Sequence, residues 1–245
     1  MRIAVIADIH GNDLALDAVL EDISRQAVDL TVNLGDCFSG PLNAGRVADI
    51  LLAHEFPTVM GNHDRALVDQ PADVMGDWER PAFAQLTDAH LAWIRELPFD
   101  RVVADDIYLC HATPKDDNTY WLETLSRDGH FHLNARTEIE RMAEGIDHKL
   151  ILCGHTHIPR AVQVSRNRLI VNPGSVGCPG YDYDRPWYHK AEAGNPFASY
   201  ALVEKRPLGW QPEFRQVRYD NQSAARQAHE MGFEDWAKAL AAGWL

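Results

Sequence analysis

The residues best suited to chemistry in this sequence are polar side chains that each follow a short apolar run. All of them offer an oxygen or an imidazole nitrogen, and the set contains no thiolate. Such donors suit borderline divalent metals such as manganese, iron or zinc, whereas calcium and magnesium prefer oxygen alone. The set consists of Asp8, His10, Asp36, Asn62, His63, His111, His155 and His157.

The number of donor residues in this set predicts two metal ions that share one carboxylate. Two ions about 3.5–4 Å apart recur in enzymes that split phosphate esters, because a bridging hydroxide can attack in line while both ions neutralise the phosphoryl oxygens. Asp8 and Asp36 are the only carboxylates in the set, so two divalent ions leave a locally positive centre. Such a centre can bind an anionic substrate even on an acidic chain.

The apolar runs before these residues predict strands of one sheet. Residues 2–8 are apolar almost throughout, as expected of a strand covered on both faces. Asn12 can cap a following helix, whose apolar stripe includes Leu16 and Val19, so residues 1–35 are predicted as a βαβ unit. Because sites in open α/β sheets form where strands end, we expect the polar residues to meet at one edge. The other predicted strands that end in such residues are 30–34, 58–60, 107–110 and 150–153.

The rest of the chain predicts further regular elements and two long loops. Residues 114–134 and 178–197 are rich in Asp, Tyr, Trp, His, Gly and Pro without clear periodicity, which indicates insertions that form functional loops. The chain beyond Asn221 predicts one amphipathic helix, and the length predicts a single domain over residues 1–245. The other predicted elements are a helix over 87–97, a hairpin over 161–172 with its turn at 165–167, and strands over 199–204 and 214–218.

Composition and charge narrow the classes of partner. The chain has 23 basic and 36 acidic residues, a net charge of -13. This charge repels long nucleic acids, so the partners that stay compatible with it include small anionic substrates. The 4 cysteines lie far apart without a CxxC pair, so we expect reduced thiols. The start of the sequence carries neither a signal peptide nor a membrane helix, and we therefore expect a cytoplasmic protein without a membrane partner. Its oligomeric state stays open.

Five sequence blocks resemble the pattern of the calcineurin-like metallophosphoesterases. Asn172-Pro173-Gly174-Ser175-Val176-Gly177 extends the likeness to the small bacterial and archaeal phosphodiesterase branch. The resemblance implies an α/β (α+β) fold, a four-layer αββα sandwich of two mixed β-sheets flanked by helices, with two divalent ions at the strand ends. Manganese is the expected metal, and iron, zinc and nickel are the other candidates. The five blocks are Asp8-Ile9-His10, Gly35-Asp36, Gly61-Asn62-His63-Asp64, His111 and Gly154-His155-Thr156-His157.

The resemblance also implies roles for single residues. Asp36 would bridge the two ions, and His63 would lie beside the scissile group, where a protonated imidazole can donate to the leaving oxygen. Asp64 would orient His63, and Arg65 is a candidate phosphate contact because guanidinium matches phosphate oxygens in a forked geometry. The remaining ligands would be Asp8, His10 and His157 on the first ion, and Asn62, His111 and His155 on the second.

The expected function is a dinuclear metal-dependent phosphoesterase that hydrolyses a small phosphodiester, nucleotide or phosphomonoester. A diadenosine polyphosphate hydrolase is one alternative, suggested by aromatic residues that could stack a nucleobase or simply pack the loops. Against it, the Asp-Arg-Gly run of symmetrical dinucleotide polyphosphatases and protein phosphatases is replaced by Cys37-Phe38-Ser39-Gly40-Pro41. A second alternative is a non-catalytic scaffold, which would be expected to lack some ligands or the general acid. The aromatic residues are Tyr120, Trp121, Tyr181, Tyr183, Trp187 and Tyr188.

Overall fold

The structure is a computed structural model that describes residues 1–104 and 106–245. Its strands are, in chain order, β1 (Arg2–Ile6), β2 (Leu30–Asn33), β3 (Asp100–Val103), β4 (Ile107–Cys110), β5 (Glu123–Leu125), β6 (Phe131–Leu133), β7 (Leu150–Leu152), β8 (Arg160–Val164), β9 (Arg168–Asn172), β10 (Gly180–Tyr183), β11 (His189–Glu192), β12 (Ala198–Arg206) and β13 (Gly209–Val217). Its helices are α1 (Asp13–Ser24), α2 (Ala44–His54), α3 (Asn62–Asp69), α4 (Glu79–Phe83), α5 (Asp88–Arg95), α6 (Arg136–Met142), α7 (Asn221–Glu230) and α8 (Glu234–Ala242).

Two mixed sheets form the centre of the fold. The first has the strand order β13-β12-β1-β2, and the second has the order β3-β4-β7-β9-β8. β1 and β2 are parallel and are joined through α1, whereas β12 runs antiparallel to β1. In the second sheet β4, β7 and β9 are parallel to one another, and antiparallel β3 and β8 lie at its edges. The parallel strands of each sheet therefore end at a common edge.

The alternation of side chains along β1 explains why this strand is apolar throughout. Ile3 and Val5 pack between the two sheets, in a core that also contains Leu109 of the second sheet. Ala4 and Ile6 point to the opposite face and pack against the helices that cover the first sheet. Because α6 covers the outer face of the second sheet, the layers run helix, sheet, sheet, helix. The predicted four-layer αββα sandwich is confirmed.

Several predicted elements are confirmed and two are wrong. The hairpin of β8 and β9 turns through a 3₁₀ helix at Ser165–Asn167, as predicted. The predicted strand at 58–60 is reduced to a single bridge between Asn33 and Thr58, because Pro57 has no N–H to donate and the chain enters α3 directly.

The single helix predicted beyond Asn221 is also wrong. The chain forms two helices, α7 and α8, with Gly232 between them at φ +83°. A residue in this left-handed conformation ends a helix, and glycine adopts it without steric cost. The return of α8 along α7 brings Trp236 into a cluster that also contains Tyr181 of β10.

The two long loops contain short hairpins. β5 and β6 pair within residues 114–134, and β10 and β11 pair within residues 178–197. These two stretches are called the first and the second loop segment below.

Among the described residues no helix has both the length and the apolar character needed to cross a membrane.

Candidate metal centre

The predicted ligands meet at the edge where the parallel strands of both sheets end. The loops after β1 and β2 are joined by backbone hydrogen bonds, from Asp8 N to Gly35 O (2.9 Å) and from His10 N to Asp36 O (3.0 Å). The loop after β7 is fixed to the first sheet because the backbone N–H of His155 donates to Asp8 Oδ2 over 3.1 Å. A side chain at Gly61 would collide with this arrangement, since its Cβ would overlap Asp36 Oδ1.

Asp8, His10 and His157 form the first group of converging donor atoms. Their donor atoms all lie within 4.8 Å of one another, and the two Nε2 atoms of His10 and His157 approach to 3.2 Å. Asp8 Oδ1 lies 3.5 Å from His157 Nε2 and is buried. Among the residues that the structure describes, this oxygen has no hydrogen-bond partner. A buried carboxylate oxygen without a donor fits a site for a cation.

Asp36, His111 and His155 form the second group, and Asn62 joins it. The donor atoms of the three titratable residues again lie within 4.8 Å of one another. The side-chain oxygen position of Asn62 lies 3.0 Å from His111 Nε2, 3.1 Å from His155 Nδ1 and 3.3 Å from Asp36 Oδ2. With its oxygen at this position, Asn62 faces only acceptor atoms, and a cation among them would satisfy these lone pairs, so the donor set fits a second cation.

Carbonyl oxygens hold each imidazole so that one nitrogen faces the cluster. A ring N–H that donates to a carbonyl leaves the lone pair of the other nitrogen free for a metal ion. For three of the rings the free atom is Nε2, and for His155 it is Nδ1. The pairs are His10 Nδ1 with Ser39 O at 3.1 Å, His111 Nδ1 with Leu34 O at 2.8 Å, His157 Nδ1 with Cys178 O at 2.9 Å and His155 Nε2 with Asn118 O at 3.0 Å.

The electrostatics of the cluster favour added positive charge. Burial and the neighbouring His157 lower the pKa of His10 to about 3, and burial and His111 lower the pKa of His155 to about 4, so both rings are neutral. Burial also opposes charge on His111, but Asp36 outweighs it and raises the pKa of His111 to about 9. His111 thus takes up a proton beside the buried Asp36, and a divalent ion would supply positive charge at the same place.

His63 lies beside the ligands and is held by two residues of the chain around α4. Its Nδ1 atom hydrogen-bonds the Glu79 carboxylate, and its ring stacks on Trp78 with centroids 5.4 Å apart. Burial opposes the charged form of His63, but Asp36 and Glu79 outweigh it and raise its pKa. The ring therefore carries a proton more readily than a free imidazole does.

The expectation that Asp64 orients His63 is wrong. The Asp64 carboxylate accepts the backbone N–H groups of Asp36 at 2.8 Å, Cys37 at 2.9 Å and Gly61 at 3.1 Å. As the third residue of α3, Asp64 turns back to the start of its own helix, away from the neighbouring ring. Asp64 instead joins the loop after β2 to the start of α3, and Glu79 is the residue that contacts the His63 ring.

The expected phosphate contact of Arg65 is not supported by its position. Its guanidinium forms a forked ion pair with Asp117, with Nε 2.6 Å from Oδ2 and Nη2 3.0 Å from Oδ1. Arg65 is not among the described residues that line the cavity over the two donor groups. A guanidinium paired in this way joins α3 to the first loop segment.

Glu79 is the residue that sequence reasoning missed. It lies 16 positions after His63, in a proline-containing stretch whose composition predicts a loop or short helices. The local sequence carries no signal for its partner, because the contact exists only after α3 and α4 pack together. The one indication is that this acidic residue is only 7% exposed, which is visible only in the structure.

The comparisons with known proteins agree with this geometry. The calcineurin-like phosphoesterase superfamily domain matches residues 1–191 of the chain. An uncharacterized protein of Methanocaldococcus jannaschii is 25% identical, with 96% of this chain and 94% of that protein covered. The crystal structure of a metallophosphoesterase from Sphaerobacter thermophilus is 27% identical, with a TM-score of 0.75 and 99% of each chain covered. A structure assigned provisionally as a diadenosine tetraphosphatase shares the fold, with a TM-score of 0.54, 17% identity and 89% and 94% of the two chains covered.

Proposed function

This chain belongs to the calcineurin-like phosphoesterase superfamily, and from that premise we propose that it is a dinuclear metal-dependent hydrolase of small phosphate esters. The substrate is a phosphodiester, a nucleotide or a phosphomonoester. The observation that carries the proposal is the convergence of two groups of buried donor atoms, each within 4.8 Å, at one sheet edge. Manganese is the proposed metal because the donors mix imidazole with carboxylate and amide oxygen.

The residues that would hold the metal ions form two groups, and one carboxylate would be shared by both ions. Asp36 is the proposed bridge, because its Oδ2 atom lies 3.2 Å from His111 Nε2 of the second group while its charge acts on His10 of the first. Two bound divalent ions would neutralise the phosphoryl oxygens and lower the pKa of water. The other proposed ligands are Asp8, His10 and His157 for one ion, and Asn62, His111 and His155 for the second.

His63 is the proposed general acid. With Nδ1 on Glu79, its remaining ring nitrogen is free to donate a proton into the cavity that it lines. The oxygen of water forms the new bond to phosphorus while the bond to the leaving alcohol breaks. The leaving oxygen takes the proton of His63, and the proton lost from the attacking water replaces it.

A scaffold without turnover is less consistent with these residues. Such a protein has no need of a complete donor set together with a histidine that a buried carboxylate holds.

The net charge of -13 supports a small substrate over a long nucleic acid. The 4 cysteines are free and buried, which supports the proposed cytoplasmic location.

The test is a screen of the manganese-loaded protein against p-nitrophenyl monoesters and diesters, cyclic nucleotides and dinucleoside polyphosphates. We expect turnover of at least one ester, and we expect Asp36→Asn to lose both stoichiometric metal and turnover. Asp73→Asn, which removes an exposed carboxylate outside the cavity, serves as the matched control. Full activity in Asp36→Asn, or no turnover of any ester by the wild type, would contradict the proposal.

A further inference from the structure

The cavity above the donor groups has room for much more than a phosphoryl group. Its volume is about 670 Å³, which lies in the range of sites for whole small molecules. Its lining contains proposed metal ligands, residues 77–79 and residues of both loop segments. A substrate group that extends beyond the phosphate would therefore meet the loop segments or residues 77–79.

Three tyrosines of the loop segments line this cavity, and two of them are already engaged. The hydroxyl of Tyr120 lies 2.9 Å from His189 Nε2 and 3.3 Å from the hydroxyl of Tyr181. The ring of Tyr181 packs edge-on against His157, with centroids 4.9 Å apart. These contacts hold the two rings in place beside the proposed metal ligands.

Tyr183 is the third tyrosine, and its ring is half exposed. It follows Tyr181 by two positions on β10, so both side chains point to the same face of the hairpin. An aromatic ring that lines a cavity and keeps half of its surface in water offers a stacking platform for a planar group. Trp187 and Tyr188 of the same segment are exposed but do not line the cavity.

The charges around the cavity disfavour a second phosphate. Asp77, Glu79 and Asp182 line it, and of the lining residues that the structure describes Arg185 is the only arginine or lysine. Asp77 and Asp182 also line the adjoining cavity of about 750 Å³, where Glu234 and Asp235 add two carboxylates and Arg80, 3.7 Å from Asp77, adds one guanidinium. A polyphosphate chain that extended beyond the metal ligands would meet these anions, whereas sugar hydroxyls can donate hydrogen bonds to them.

We infer that the outer cavity binds the nucleoside of a phosphodiester that carries a single phosphate, with its base stacked on Tyr183. The inference rests on the proposed function and specifies its substrate class. It excludes dinucleoside polyphosphates as the preferred substrates, because these would place further phosphates beside Asp77 and Asp182. It makes Tyr183 a specificity-determining residue.

The test compares two esters with the same leaving group, thymidine 5′-(p-nitrophenyl phosphate) and methyl p-nitrophenyl phosphate. We expect kcat/KM of the manganese-loaded protein to favour the thymidine ester about tenfold, the scale of one base stacked on one ring. Tyr183→Leu should lose most of this ratio, and Tyr183→Phe, which keeps the ring, should retain it. Phe214→Leu removes an exposed ring outside the cavity and should keep the wild-type ratio and rate.

A binding measurement gives a readout that does not depend on turnover. In saturation-transfer NMR with thymidine, we expect the base protons to receive magnetisation from the wild type and from Tyr183→Phe, and much less from Tyr183→Leu.

Each contrary result has a separate meaning. No hydrolysis of either ester, or of any other phosphate ester, would overturn the proposed function. Hydrolysis of both esters with equal kcat/KM, or an unchanged ratio in Tyr183→Leu, would overturn the nucleoside subsite alone. A higher kcat/KM for diadenosine tetraphosphate than for the thymidine ester would overturn the limit to a single phosphate.

Discussion

At the scale of single residues, the ligand positions share an unusual backbone conformation. Five of the proposed ligands adopt a positive φ, between 50° and 73°. A residue other than glycine in this left-handed region costs about 1–2 kcal/mol, and asparagine, aspartate and histidine accept it more readily than most residues. Such conformations persist where surrounding contacts impose them, and they aim side chains that regular structure would direct elsewhere. The five residues are Asp8, His10, Asp36, His155 and His157.

The contact between Glu79 and His63 leads to a prediction about turnover. Glu79→Gln keeps the size of the side chain but removes the charge that holds the His63 ring. We expect kcat on a phosphodiester whose leaving group is an alkoxide, which needs the proton of His63, to fall about 10- to 100-fold, the usual effect of misplacing a reacting group. Metal content by elemental analysis should stay at the wild-type value, because neither residue is a proposed ligand.

The matched control for Glu79→Gln is Asp49→Asn. Asp49 lies 3.1 Å from His90 Nε2, so this variant alters another pair of histidine and carboxylate that does not line the cavity. We expect it to keep the wild-type kcat. Unchanged kcat in Glu79→Gln, or loss of metal from it, would show that Glu79 does not act by positioning His63.

At the scale of elements, a charged contact joins α1 to the outer face of the first sheet. The Asp22 carboxylate accepts hydrogen bonds from the Tyr200 hydroxyl at 2.5 Å and from Arg215 Nε at 2.9 Å. Burial opposes ionisation of Asp22, but the hydrogen bonds from Arg215 and Tyr200 outweigh it and lower its pKa. Helix α1 leads from β1, which precedes Asp8, to β2, which precedes Asp36, so its position matters for the site.

The lowered pKa of Asp22 predicts how stability depends on pH. Asp22→Asn should lower the free energy of unfolding at pH 7 by about 1.5–3 kcal/mol, the scale of hydrogen bonds to a charged group. A carboxyl whose folded pKa is depressed stabilises the protein above its unfolded pKa of about 4, and this stability is lost as pH falls through the folded pKa. The difference between wild type and Asp22→Asn, measured by urea unfolding, should therefore be constant above about pH 5 and shrink below pH 4.

Glu21→Gln is the control for this prediction, since it changes an exposed ion pair on the same helix. We expect its free energy of unfolding to stay within about 0.5 kcal/mol of wild type. A deficit of Asp22→Asn that persisted at low pH would assign the effect to packing and not to charge.

At the scale of the whole molecule, the site depends on the part of the chain that follows residue 191, where the match to the family ends. β12 pairs with β1 and is part of the first sheet, although it follows residue 191. Trp236 of α8 packs against the ring of His10, with centroids 6.0 Å apart, and against Trp78, with centroids 4.8 Å apart. The C-terminal helices therefore form part of the wall that surrounds the proposed ligands.

Metal binding should stabilise the entire fold, because the donor atoms converge only in the folded chain. A ligand present at about 100 times its Kd adds about 2.7 kcal/mol per site. For a protein of this size the thermal midpoint should then rise by about 5–10 °C for each occupied site when manganese is added to the chelator-treated protein. Calorimetry should show this rise in the wild type and in Asp73→Asn, and a much smaller one in Asp36→Asn. An equal rise in Asp36→Asn would place the stabilising ion elsewhere.

Much of the fold could be predicted because its signals are local. The apolar run of β1, the cap at Asn12 and the turn at Ser165–Asn167 each depend on a few adjacent residues. The prediction of one C-terminal helix was wrong because an amphipathic pattern can continue across a break, and only the packing of α7 on α8 shows where the chain reverses. The strand expected at 58–60 was wrong because Pro57 has no N–H to donate and the chain enters α3 directly, so an apolar run there forms only the bridge between Asn33 and Thr58.

By itself, the sequence determined which donor residues follow the strands and in which order, since strand ends and turn residues are encoded locally. The tertiary structure decided which groups hold these residues in place: Glu79 on His63, Asp64 on the backbone N–H groups of Asp36 and Cys37, and carbonyl oxygens on the ligand imidazoles. It also decided that Tyr183 lines the cavity while Trp187 does not. These contacts join residues far apart in the chain, and such pairs leave no periodic pattern in the sequence.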